Sequence, residues 1–120
     1  MSIPYVIEKA EKGQERVYDL FSRLLKDRII FVRDVFDQTM ADTVVAQLLF
    51  LESADPDADI FMYINSPGGL LTSMFAISDV MQYVKPDIVT VGFGQCASAG
   101  SFILAATYLH RRLSQPTMQF

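Results

Sequence analysis

Asp59-Ile60-Phe61-Met62-Tyr63-Ile64-Asn65-Ser66-Pro67-Gly68-Gly69 decides the fold. Its first seven residues, Asp59 to Asn65, are rich in β-branched and aromatic side chains and read as a buried strand. Ser66-Pro67-Gly68-Gly69 then supplies turn residues, so the strand ends in a tight corner. Downstream, Leu71 to Val84 has helical spacing and is closed by Lys85-Pro86. Ile88 to Gly92 reads as another strand, followed by a glycine turn and a helix from about Ser98 to Leu109. Upstream, Asp37 can cap a helix whose face carries Met40, Val44, Leu48 and Leu51 and which stops at Asp55-Pro56. Before it, Arg28 to Val32 reads as a strand and Tyr18 to Lys26 as a short helix, while residues 1–16 read as an arm or loop. Strands alternating with helices of crossover length predict an α/β domain with a mainly parallel sheet and right-handed βαβ units. Ligands of such sheets sit at the carboxyl ends of the strands, where both glycine-rich corners fall.

The 120 residues suffice for one domain, and no repeat or low-complexity linker divides them. A hydrophobic share of 51% is high for so short a chain, yet no apolar run approaches the roughly 20 residues of a membrane span. The surplus apolar surface points instead to a partner subunit. Net charge of −4 with only one short basic group, His110-Arg111-Arg112, argues against nucleic acid. The single cysteine, Cys96, excludes an internal disulfide and fits a reducing compartment. The N-terminus lacks the apolar core of a secretory signal, so the expected location is the cytoplasm.

Two short stretches could carry chemistry. Ser98 lies in Gly94-Gln95-Cys96-Ala97-Ser98-Ala99-Gly100, after a strand and at the start of an apolar helix. A serine there is a helix N-cap by the ordinary reading. The same place would also set its hydroxyl among free helix N–H groups that stabilise developing negative charge. Gly68-Gly69 is either a plain strand-to-helix turn or a corner that turns backbone N–H groups toward a ligand. These residues alone leave both choices open.

Taken together the motifs are specific. Tyr18-Asp19-Leu20-Phe21-Ser22-Arg23-Leu24-Leu25-Lys26-Asp27-Arg28-Ile29-Ile30-Phe31, Val45-Ala46-Gln47-Leu48-Leu49-Phe50-Leu51-Glu52-Ser53, Tyr63-Ile64-Asn65-Ser66-Pro67-Gly68-Gly69 and the Gly94–Gly100 stretch resemble the proteolytic subunit of the Clp protease. The resemblance runs from Pro4 to about Ala106 and spans about the first half of that family's usual length. It implies a Clp-peptidase or crotonase-like fold of repeated βαβ units, incomplete at the C-terminus. It divides the chain into an arm at 1–17 similar to the family's axial gate, a partial head domain at 18–106 and a divergent tail at 107–120.

The resemblance also implies roles. Ser98 matches the family's nucleophile, and Gly69 and Ala99 match the residues whose backbone N–H groups form the oxyanion hole. Gly68, Leu70 and Leu71 fall where substrate binds. Leu49, Phe61, Tyr63 and Tyr83 match the apolar cleft where the partner ATPase docks, although Phe61, Tyr63 and Tyr83 read equally well as core or subunit interface. The implied substrate is unfolded polypeptide, the implied partner an unfoldase ATPase of the AAA+ type, and the implied assembly a heptameric ring. No metal or cofactor is implied.

One element of that chemistry is missing from the 120 residues. The family's histidine belongs to a Met-Ile-His-Gln-Pro segment after the serine, and its aspartate lies farther on; neither segment occurs here. The resemblance fades after Ala106, as a frameshift, an alternative ending or a truncation would produce. His110, the one histidine, would stand roughly 18 Å from Ser98 along a continuous helix. A general base must come within about 3 Å of the hydroxyl. The expectation is therefore a peptidase subunit inactive by itself, without the segment that stacks two rings. The alternatives are a non-catalytic ring member, or a hydratase or isomerase of the crotonase type. The last would need acidic catalytic residues in place of a serine nucleophile, and no coenzyme A pocket signature is visible.

Overall fold

Hydrophobic alternation along one short strand organises the computed structural model, which describes residues 3–9, 13–96 and 103. In chain order the elements are β1 (Tyr5–Lys9), β2 (Glu15–Asp19), α1 (Leu20–Lys26), β3 (Ile29–Arg33), α2 (Gln38–Ala54), β4 (Ile60–Ser66), α3 (Leu71–Tyr83) and β5 (Ile88–Cys96). The strands β3, β4 and β5 form a parallel sheet in that order, with Ile30 opposite Met62 and Ile60 opposite Ile88. The predicted α/β class and parallel sheet are thus present.

The central strand β4 buries Ile60, Met62 and Ile64 completely and leaves Phe61 and Tyr63 half-buried on its other face. The buried face meets Ala41, Val44, Leu48 and Leu51 of α2 and Met74, Ile77 and Met81 of α3. Ile103 joins the same core. Each such side chain contributes about 1.5–3 kcal/mol relative to exposure, which is why the pattern fixes register. The opposite face of the sheet is aromatic. Phe31 stacks edge-on with Phe21 of α1 at 5.2 Å between ring centres and packs against Tyr63 at 5.5 Å.

Caps match the local sequence. The Asp37 carboxylate accepts from the Met40 N–H at 2.8 Å and starts α2, as expected. Asp19 does the same for α1, accepting from the Ser22 N–H at 2.9 Å and from its hydroxyl at 2.6 Å. Those bonds, the hydroxyl's first, hold the Asp19 carboxyl below its ordinary value. The end of α2 is secured from a distance. Arg28 enters β3 with φ of 68°, and its guanidinium donates to the carbonyls of Leu51, Asp55, Ala58 and Asp59 at 2.7–2.9 Å. A planar group with five N–H donors is the side chain suited to collecting four carbonyls.

Two segments differ from expectation. Residues 1–16 are expected as arm or loop and Tyr18–Lys26 as helix. Instead β1 pairs antiparallel with β2, which takes up Tyr18 and Asp19 so that the helix starts at Leu20; Ile7 stands opposite Val17 and Glu8 opposite Arg16. Charged residues obscured a two-residue alternation that only the pairing partner reveals. In addition, β5 does not stop at Gly92 but continues to Cys96, because pairing resumes beyond an irregularity. The helix expected from Ser98 to Leu109 lies outside the described residues except for Ile103, which is helical and buried.

Candidate functional site

Three loops meet at the carboxyl edge of the parallel sheet, one after each strand. The loop after β3 supplies Phe36, whose ring is fully buried and anchors its backbone. The Phe36 N–H donates to the Gly68 carbonyl at 2.8 Å, and its carbonyl accepts from the Leu70 N–H at 2.8 Å. This isolated parallel bridge consumes the groups on either side of Gly69. Along extended chain successive N–H and C=O groups point to opposite edges, so those of Gly69 face away from Phe36. Among the described residues no acceptor meets the Gly69 N–H.

Glycine is required at 69. Its φ is 153°, and a Cβ there would stand 2.3 Å from the Phe36 carbonyl oxygen. Ser66 braces the same corner: its hydroxyl donates to the Asp34 carbonyl and accepts from the Gly68 N–H at 3.1 Å. The buried hydroxyl thereby spends its one hydrogen and a lone pair on holding loops together.

The third loop is the irregular part of β5. Ile64 is opposite Gly92 and Ser66 opposite Cys96, so Asn65 alone faces Phe93, Gly94 and Gln95. The Asn65 Oδ1 accepts from the Gln95 N–H at 3.0 Å. Gly94 has φ of 64°, and a Cβ on it would fall 2.8 Å from that same oxygen. Beyond the bulge the Cys96 thiol donates to the Ile64 carbonyl at 3.3 Å. Burial pushes this thiol's pKa up, against a smaller opposing effect of a backbone hydrogen bond at Phe93.

The residues singled out in the sequence fall in different places. Gly68 is buried and Gly69 exposed within the corner, and Leu70 and Leu71 stand beside it, 56% and 64% exposed. Ser98 and Ala99 lie outside the described residues, as does His110. Of the apolar cleft residues, Phe61 and Tyr63 belong to the aromatic face of the sheet. Leu49 and Tyr83, both exposed, belong to the helices packed on the opposite face. One chain therefore does not bring these four together. Phe93 extends the aromatic face, 6.3 Å from Tyr63 and 6.5 Å from Phe31 between ring centres. At the border of that face a cleft of about 530 Å³ runs between Phe21, Phe31 and Arg33 on one side and Met40, Thr43 and Gln47 on the other.

Sequence reasoning missed Phe36, Ser66 and Asn65 as parts of the corner. Ser66 and Asn65 were legible only as a strand end and a turn, and Phe36 carries no local signal at all.

The strand-end loops converge at the carboxyl edge of the sheet, the edge where α/β domains bind their ligands, and there the Gly69 N–H meets no acceptor among the described residues. The sequence model of the Clp protease family matches residues 11–120, and the chain belongs to that family. Its members are proteases that act on protein substrates as oligomers. Among the described residues no helix is long and apolar enough to cross a membrane.

Proposed function

We propose that the chain is a proteolytic subunit of an ATP-dependent Clp protease, a serine-type endopeptidase that cuts unfolded polypeptides into peptides in the cytoplasm. Ser98 is the nucleophile in this reading. Its hydroxyl oxygen attacks the scissile carbonyl carbon while the N–H groups of Gly69 and Ala99 receive the developing oxyanion. The observation that carries the reading is the bridge between Phe36 and Gly69, which leaves the Gly69 N–H turned outward. Ser98 follows Cys96 by two residues in the sequence. Cys96 in turn pairs with Ser66, three residues before Gly69. Gly68, Leu70 and Leu71 receive the substrate chain, with the exposed leucines taking apolar side chains.

The proton of Ser98 needs a base, and the 120 residues hold one histidine, His110. In this reading a histidine fills that role. The second reading is a non-catalytic member of a Clp ring. In either case the assembly is a heptameric ring capped by an AAA+ unfoldase. Leu49 and Tyr83 of one copy and Phe61 and Tyr63 of the next form its docking cleft, since the two pairs lie on opposite layers of a single chain.

Labelling by a fluorophosphonate, with and without imidazole as an external base, separates the two readings. A competent nucleophile is labelled at Ser98, faster with imidazole, and not at all after Ser98→Ala. A folded chain that stays unlabelled in both conditions is a non-catalytic ring member.

A further inference from the structure

From Pro67 to Leu70 the corner has three backbone donors, and two of them are spoken for. Proline at 67 has no N–H to offer. The Gly68 N–H donates to the Ser66 hydroxyl oxygen at 3.1 Å, and the Leu70 N–H donates to the Phe36 carbonyl at 2.8 Å. Only the Gly69 N–H meets no acceptor among the described residues. Ser66 makes that selection. Without its oxygen, buried Gly68 would hold a second open donor beside the first, and a buried N–H left unpaired bears the full cost of its lost hydration.

Ser66 is itself held by an unusual piece of backbone. Its hydroxyl donates to the Asp34 carbonyl, and Asp34 has φ of 67°, a region few residues other than glycine adopt. Such a conformation persists only where the surroundings determine it, and it recurs at functional sites. Here the segment from Asp34 to Phe36 grips the corner at three points: the Ser66 hydroxyl, the Gly68 carbonyl and the Leu70 N–H. All three bonds use main-chain atoms of that segment, so the Asp34 carboxylate has no part in them.

We infer that Ser66, held by the left-handed turn at Asp34, is a positioning residue for the Gly69 N–H: it takes up the Gly68 N–H and leaves one fixed donor for the developing oxyanion. The inference rests on the reading of Gly69 as an oxyanion donor. Ser66 touches no substrate in this account, because it is fully buried and its hydrogen is already committed to Asp34.

Two measurements on the full chain test it. Glycine-selective nitrogen-15 labelling reports the Gly68 and Gly69 amides, since only six residues carry the label. The rate of modification by a fluorophosphonate, with imidazole present, reports the oxyanion donor. Ser66→Ala is expected to speed exchange at the Gly68 amide by about tenfold and to move the Gly69 signal. It is also expected to slow modification by about 10- to 100-fold. Asp34→Val drives the turn out of the left-handed region and reproduces all three effects. Because position 34 is exposed, it serves also if Ser66→Ala fails to fold. Asp34→Gly keeps the turn without the carboxylate and matches the parent in all three. A loss in Asp34→Gly equal to that in Asp34→Val would assign the effect to the carboxylate and overturn the inference. Modification of Ser66→Ala at the parent's rate overturns the role of Ser66 and leaves the oxyanion reading standing. No modification of the unsubstituted protein overturns that reading and the inference with it.

Discussion

Phe36 is bonded to both neighbours of Gly69 and to none of Gly69's own backbone groups. Its N–H reaches the Gly68 carbonyl and its carbonyl the Leu70 N–H, each at 2.8 Å. The contact is so close that the second glycine has no room for a side chain.

Gly69→Ala therefore combines a disfavoured backbone conformation with an overlap against backbone rather than a yielding side chain. The expected cost is about 2–4 kcal/mol of unfolding free energy. Denaturant titration measures it. A variant as stable as the parent would mean that the Phe36 bridge does not exist in solution.

The cap of α1 makes a pH prediction. The Asp19 carboxyl is held below its ordinary value of 3.8, first by the Ser22 hydroxyl and then by the Ser22 N–H. A lowered folded-state pKa means stability that is present above 3.8 and lost as pH falls through the folded value. An asparagine in its place would still cap the helix but could not titrate. Thermal unfolding of the parent and of Asp19→Asn should therefore differ at neutral pH and converge in acid. Parallel curves across the whole range would refute the role of the charge.

Cys96 offers a probe of the site's opening. The side chain is 5% exposed and its thiol is pushed up by burial. Because the thiolate is the reactive form, iodoacetamide at neutral pH should modify folded protein at least about tenfold more slowly than a free thiol. Denaturant should bring the two rates together. Rapid modification of folded protein would show that this end of β5 opens readily.

The separation of Leu49 from Tyr63 predicts complementation. If a docking cleft forms between copies, Leu49→Asp and Tyr63→Asp rings should each lose binding of an unfoldase. Mixed rings should regain part of it, since some junctions then join two intact halves. Failure of every mixture to bind, in rings that assemble normally, would place the cleft elsewhere.

Most of the sheet was legible from residues 59–69, since a run of β-branched and aromatic residues closed by turn residues has few other meanings. Helix ends were legible where Asp37 capped and Pro56 stopped the chain. The N-terminal hairpin was not, because Ile7 and Val17 acquire their pairing only from one another. The extension of β5 was hidden for a similar reason: Gly94 looks like a terminator, and the contacts beyond it are made to Ile64, Asn65 and Ser66, about 30 residues earlier. Phe36 is the extreme case. Its part in the corner is played by backbone atoms, which no side-chain pattern records.

Arg28 seizes only main-chain oxygens, those of residues 51, 55, 58 and 59. Exchanging the side chains of Ala58 and Asp59 consequently leaves the four acceptors in place, whereas position 28 cannot trade its guanidinium for an ammonium. Tolerance and intolerance to substitution are thus split between two ends of the same contact.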